Sequence, residues 1–190
     1  MWKPLAGVVA VACSSTPANA DEPPTRAEAT PVPAAAAAEC PEPVRSLEGK
    51  YGYSGGEAER KALEDAVDDV VSEMNPFVRE IARRRLLAAN EIAQTLEVQV
   101  EGAHVTVAFD ERSYTAELGG PAVKVTGVTG KRLSLTHRLK GDKLVQKFDG
   151  AGGGRTNVFD NNDQRVRINV KVSSDQLPKP LSYRLTFKRK

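Results

Sequence analysis

Residues Leu96 to Phe109 read LEVQVEGAHVTVAF, two runs of strict apolar and polar alternation on either side of Gly102-Ala103. Period-two alternation marks a strand with one buried face, and a two-residue turn that opens on glycine joins such strands into a hairpin. A turn at Gly102-Ala103 aligns Val100 with Val105, Val98 with Val107 and Leu96 with Phe109. All the large apolar residues then share one face, an arrangement that a slip of one residue would destroy.

Working outward, the same test repeats along the chain. A four-residue loop at Asp110 to Ser113 aligns Val107 with Ala116 and Val105 with Leu118, and another at Gly119 to Ala122 aligns Leu118 with Val123 and Ala116 with Val125. The three residues Val128-Thr129-Gly130, with the glycine left-handed, align Val125 with Leu133. A Gly141-Asp142 turn aligns Leu139 with Leu144 and Leu135 with Phe148, and sets His137 opposite Gln146. Val166, Ile168, Val170 and Val172 alternate with polar residues, and Leu181, Tyr183, Leu185 and Phe187 form the last strand. Nine strands are expected, or ten with Ser46 to Tyr53, where Leu47, Tyr51 and Tyr53 share one parity.

Ahead of this meander the period is 3.6. Leu63, Val67, Val70 and Met74 lie at helical spacing over Glu57 to Met74, with Glu57 and Glu59 in the first turn, where the helix dipole favours acid. Asn75-Pro76 ends that helix and starts a second, capped by Asn75 and finishing near Asn90. Its basic run Arg79, Arg83, Arg84 and Arg85 is expected to pair with Glu64, Asp65, Asp68, Asp69 and Glu73 of the first helix.

An apolar face on so many successive strands must be covered, and short hairpin loops throughout favour closure into an up-and-down barrel. The expected fold class is mainly β with an N-terminal helical pair: an antiparallel meander of nine to ten strands in a closed or nearly closed barrel over residues 46–190. An initial strand with Gly49-Lys50-Tyr51, a helix-turn-helix, and a meander ending in Tyr183-Arg184-Leu185 resemble the calycins, in particular the fatty-acid-binding-protein-like and lipocalin-like barrels. Tyr51 stands where lipocalins carry the Trp of Gly-x-Trp, and Tyr183-Arg184 reverses the order of the Arg-x-Tyr of fatty-acid-binding barrels. The resemblance implies an interior that holds a small apolar or amphipathic, lipid-like ligand.

The beginning of the chain reads as an export signal over residues 1–20. Lys3 is the positive end, Pro4 to Ala12 is apolar, and Ala18-Asn19-Ala20 is an A-x-A cleavage site. An alternative is a lipoprotein signal ending at Ala12, with Cys13 as the acylated residue. Residues 21–45, rich in Pro and Ala, bury little and are expected to form a disordered tether. Beyond Cys13, Cys40 is the other cysteine, so the domain holds no internal disulfide. The implied location is extracytoplasmic, either periplasmic or secreted, or membrane-attached through Cys13. The 190-residue chain carries 27 Lys and Arg against 25 Asp and Glu, a near balance that argues against a dedicated nucleic-acid binder.

The candidate chemistry is sparse. Gly52-Tyr53-Ser54-Gly55-Gly56 matches the nucleophile-elbow string, but no β-α-β alternation follows it to supply the parallel sheet that an elbow needs. The expectation is no enzyme, no catalytic residue and no cofactor. His104 falls on the outward parity and no carboxylate or thiol accompanies His137, so no metal site is expected. Inside the barrel, His137 and Gln146 face each other among Leu135, Leu144 and Phe148. Arg155 and Asn157 share a parity that depends on the next loop: four residues, Asn161 to Gln164, turn them inward, and three turn them outward. An inward Arg155 suits an anionic head group while apolar walls hold a chain. The candidate ligand-binding residues are therefore His137, Gln146, Arg155, Asn157, Tyr114, Phe109, Phe148 and Tyr183. Gly150-Ala151-Gly152-Gly153-Gly154 reads as a flexible hairpin loop. Two functions follow: an exported bacterial binding protein with a lipid-like ligand in its barrel, or a structural or interaction domain of the cell envelope with a filled core.

Overall fold

The computed structural model describes residues 39–162 and 164–190. The export signal over 1–20, its alternative at Cys13 and the tether as far as residue 38 lie outside the described residues. A short helix α1 (Glu42–Arg45) leads into β1 (Gly49–Tyr53), then α2 (Gly56–Ser72) and α3 (Pro76–Ala89). The meander follows: β2 (Thr95–Glu101), β3 (His104–Phe109), β4 (Arg112–Glu117), β5 (Val123–Thr126), β6 (Arg132–Lys140), β7 (Lys143–Gly150), β8 (Gly153–Asn162), β9 (Arg165–Ser174) and β10 (Leu181–Arg189).

All ten strands belong to one antiparallel sheet in the order β4-β3-β2-β1-β10-β9-β8-β7-β6-β5. Because β1 pairs with both β2 and β10, the two ends of the meander meet and the sheet curls into a barrel whose remaining edges are β4 and β5. The seam between them is crossed once, where Leu118 bridges His137 and the Gly119 N–H donates to the His137 carbonyl at 2.8 Å. The barrel is nearly closed.

The hairpin registers at Gly102-Ala103 and Gly141-Asp142 match the sequence reading, as does Val125 opposite Leu133. Three expectations need correction. The β3–β4 turn is two residues, so Val107 faces Tyr114 and Val105 faces Ala116. Asp110 permits this by adopting a left-handed φ of 51°. Its carboxylate then accepts hydrogen bonds from the Thr95 N–H at 2.8 Å and the Gln94 N–H at 3.0 Å. Second, β4 does not pair with β5: Gly119, at φ 78°, sends its N–H across the seam to β6 and leaves β5 as an edge. Third, β8 pairs with β9 through Phe159 opposite Ile168 and Asn162 opposite Arg165, a tighter turn than expected but of the same parity, so Arg155 and Asn157 keep the inward face.

The glycine-rich segment is mostly strand. Gly150 pairs with Gly153 around Ala151-Gly152, and a Cβ on Gly154 would lie 2.6 Å from the Phe148 carbonyl, so close strand approach accounts for that glycine. The expected tether also ends sooner than residue 45. Cys40 and Val44 are buried, and the Cys40 N–H donates to the Gly102 carbonyl at 3.0 Å. Packing here recruits Cys40 and Val44 from a stretch otherwise dominated by Pro, Ala and charged residues. Cys40 is a free thiol, and burial raises its pKa against the opposing pull of Arg45.

In this meander alternate turns lie at opposite barrel ends. At the end that carries the β2–β3 and β8–β9 turns, α1 and Leu47 sit beneath Tyr51, whose hydroxyl donates to the Leu47 carbonyl at 2.7 Å. The Arg189 guanidinium lies 5.1 Å from the centre of the Tyr51 ring and donates to its hydroxyl at 2.8 Å. At the other end α2 docks on β10, where the Glu59 carboxylate accepts from the Thr186 N–H at 2.8 Å and the Thr186 hydroxyl at 2.6 Å. The Asn75 side chain caps α3 by accepting from the Phe77 N–H at 3.0 Å. One cross-helix ion pair forms, Arg83 to Asp68 at 2.5 Å, whereas Asp69 and Glu73 turn to Lys179.

Candidate functional site

The main core joins α1, α2, β1 to β3 and β7 to β10, and includes Val98, Val107, Ile168 and Tyr183. A smaller cluster of Tyr114, Ala116, Leu135 and Phe148 fills the seam side, with the Tyr114 and Phe148 rings edge to face at 4.9 Å. Between that cluster and the end of α3 lies a cavity of about 360 Å³, within the range of small-molecule sites. Its rim comes from Ala89, Glu91 and Ala93 after α3, from the β3–β4 turn at Asp110, Glu111 and Arg112, and from Gly127 and Val128 of the β5–β6 turn. Its walls are Phe109, Tyr114, Leu133, Phe148 and Leu185, and the polar groups inside are Arg155 and Asn157. The helical pair, the seam and the barrel interior meet here.

Five of the eight residues singled out in the sequence line this cavity: Phe109, Tyr114, Phe148, Arg155 and Asn157. His137 and Gln146 lie behind it, completely buried. Register explains the link, since His137, Gln146 and Asn157 are direct cross-strand partners on β6, β7 and β8. Asn157 Nδ2 donates to Gln146 Oε1 at 2.9 Å, and Gln146 Nε2 lies 3.1 Å from His137 Nε2. Arg155 Nε donates to Asn157 Oδ1 at 2.9 Å. Tyr183, the eighth residue, is buried outside the lining, and its hydroxyl donates to Asn90 Oδ1 at 3.1 Å. Asn90 also receives Arg155 NH1 at 3.5 Å and anchors its own Nδ2 on the Leu86 carbonyl at 2.9 Å.

Arg155 is thus half-buried and held by two neutral amides. Among the described residues no carboxylate pairs with it: of the three rim acids, Asp110 is already engaged with Gln94 and Thr95, and neither Glu91 nor Glu111 forms a hydrogen bond or ion pair with Arg155. Such a guanidinium is short of a counter-charge, and its fork geometry suits a carboxylate or phosphate. Burial pushes the Tyr183 phenol up, with Arg155 pulling the other way, so the hydroxyl stays protonated and donates. Ser54, by contrast, is exposed, and its Oγ donates to the Thr186 carbonyl at 3.3 Å.

Desolvation lowers the His137 pKa from 6.5 to about 4, while the nearby carbonyls of Ala116 and Val105 favour the charged form. Its Nδ1 makes no hydrogen bond. Because the folded-state pKa lies below the unfolded one, the unfolded chain binds the extra proton between about pH 6.5 and pH 4, and stability falls as pH falls through that window. Urea unfolding should show a loss of about 3 kcal/mol from this group between about pH 7.5 and pH 4. A His137→Gln variant should lack that component.

Sequence reasoning missed Asn90, Leu133 and Val128. Asn90 is the residue after α3, where asparagine ordinarily signals a helix end and nothing more. Leu133 and Val128 reach the cavity from beside the seam, a contact that hairpin pairing does not reveal.

No family model matches the chain, and no curated protein does either. Solved structures do resemble it. The fluorescent protein UnaG superposes with a TM-score of 0.52 at 14% identity, covering 77% of this chain and 99% of its own. The REP1-NXSQ fatty acid transporter gives 0.50 at 16% identity, covering 77% and 97%. Lipid binding protein 8 of Caenorhabditis elegans gives 0.50 at 9% identity, covering 77% and 96%. At these identities the likeness is one of fold. Ten antiparallel strands in order around a single seam, a helical pair between the first two, and these superpositions make the described part of the chain a calycin-like barrel.

Proposed function

We propose that this chain is an exported, non-enzymatic bacterial binding protein whose barrel holds a small amphipathic, lipid-like molecule with an acidic head group. The observation that carries the reading is Arg155, a guanidinium at a largely apolar cavity with amide neighbours and no carboxylate partner among the described residues. The acidic head would take the free guanidinium N–H groups. The chain would lie along Phe148, Tyr114, Leu133 and Phe109 toward the rim. Burial of that chain supplies most of the affinity and the charge supplies the selection. A cavity of about 360 Å³ favours a single short chain over a two-chain lipid. The names of two structural neighbours, a fatty acid transporter and a lipid binding protein, agree with this reading. Export rests on Lys3, the apolar Pro4 to Ala12 and either Ala18-Asn19-Ala20 or Cys13.

Native mass spectrometry of the full chain, expressed with its leader and purified without detergent, tests this directly. The expected result is a complex that releases an acidic amphiphile on denaturation, or one that takes up dodecanoate with one-to-one stoichiometry. Absence of both a copurified amphiphile and dodecanoate uptake would refute the pocket. The mass of the mature amino terminus separates cleavage after Ala20 from acylation at Cys13.

A further inference from the structure

We infer that Gln146 and His137 are positioning residues for the Arg155 site, acting through Asn157, and that the four side chains share one direction of hydrogen bonding which the arginine imposes. The inference rests on the pocket reading above and adds residues that do not touch the cavity. An arginine can only donate, so the 2.9 Å contact from its Nε makes Asn157 Oδ1 the acceptor. The same amide then presents Nδ2 to Gln146 Oε1 at 2.9 Å, which leaves Gln146 Nε2 as a donor toward His137 Nε2 at 3.1 Å. His137 Nε2 must therefore accept. The ring is then the neutral Nδ1–H tautomer, and that hydrogen ends the chain without a hydrogen-bond partner.

The direction matters to the head-group site. With Gln146 in place, flipping the Asn157 amide would set its Nδ2 against the Arg155 Nε, donor against donor, and its Oδ1 against the Gln146 Oε1, acceptor against acceptor. The arginine Nε is thereby tied down, and NH2 with the remaining NH1 hydrogen is left for the pocket. Remove Gln146, and Asn157 keeps only the arginine contact to hold its amide, so the guanidinium's anchor loses one of its two restraints. The three-strand register makes the coupling short: one row of direct cross-strand partners separates His137 from Asn157.

Two measurements on the full chain decide the matter. First, nitrogen-15 NMR of the ring at neutral pH should show His137 as Nδ1–H with an unprotonated Nε2. In Arg155→Met, which changes a residue two links away from Gln146, both tautomers should become populated. A wild-type Nε2–H tautomer overturns the shared direction, and this reading needs no variant to fold. Second, dodecanoate and 1-dodecanol are titrated into the wild type and Gln146→Met. Loosening the charge-assisted contact between Arg155 and Asn157 should weaken dodecanoate about tenfold and leave dodecanol within about twofold. Equal losses for both probes would mean that Gln146 only supports the barrel and would overturn the positioning role. If the wild type binds neither probe, the pocket reading and the positioning role fail together, whereas the tautomer result still judges the direction.

Discussion

Arg155→Met should weaken dodecanoate binding by about 10- to 100-fold, the equivalent of about 1.5–3 kcal/mol for a hydrogen bond to a charged partner. Affinity for 1-dodecanol should change by less than about threefold, because the apolar walls formed by Phe148, Tyr114 and Leu133 are untouched. The same substitution should leave unfolding stability within about 1 kcal/mol of wild type, since a half-buried cation without a carboxylate partner contributes little to folding. A large loss of anion affinity with little change in stability separates a ligand-binding arginine from a structural one. Arg155→Lys should recover only part of the loss, because an ammonium has no forked donor pair and cannot hold Asn157 and the head group at once. Calorimetric titration together with urea unfolding reads all of these quantities.

The second large effect lies at the sealed end of the barrel. Tyr51→Ala should destabilise the fold by about 4 kcal/mol, in the range for emptying a buried aromatic site. Tyr51 is fully buried, carries Arg189 across its ring and ties the turn after α1 to the sheet through Leu47. Tyr51→Phe should cost about 1–2 kcal/mol, because it removes the hydroxyl from the Leu47 carbonyl and from Arg189 but keeps the volume. Urea unfolding at neutral pH measures both. Dodecanoate binding to folded Tyr51→Phe should be unchanged, since Tyr51 lies at the end away from the cavity.

Much of the barrel is legible in the chain because its hairpins are tight. At Gly102-Ala103 and Gly141-Asp142, glycine at positive φ and strict alternation leave one register that keeps the apolar face whole. The β3–β4 and β8–β9 turns are each two residues shorter than the sequence indicates, and an even error preserves the faces, which is why Tyr114, Arg155 and Asn157 still point inward. Asp110 hides its turn because a left-handed conformation is uncommon for a non-glycine residue. Its stabilisation comes from the backbone of Gln94 and Thr95. The seam is not legible from hairpin pairing at all. β4 and β6 are not sequential, and their contact depends on where Gly119 directs one N–H. The site follows the same rule. His137 opposite Gln146 comes straight from register, whereas Asn90 and Val128 join the polar network and the rim through tertiary packing.

A crystal structure of the protein grown with dodecanoate decides whether Arg155 receives an acidic head group. The expected result is a single chain inside the barrel, with carboxylate oxygens on the terminal nitrogens of Arg155 and methylenes against Phe148 and Tyr114. Dodecanoate found only on the outer surface, or inside with its carboxylate at the rim and Arg155 uncontacted, would contradict it.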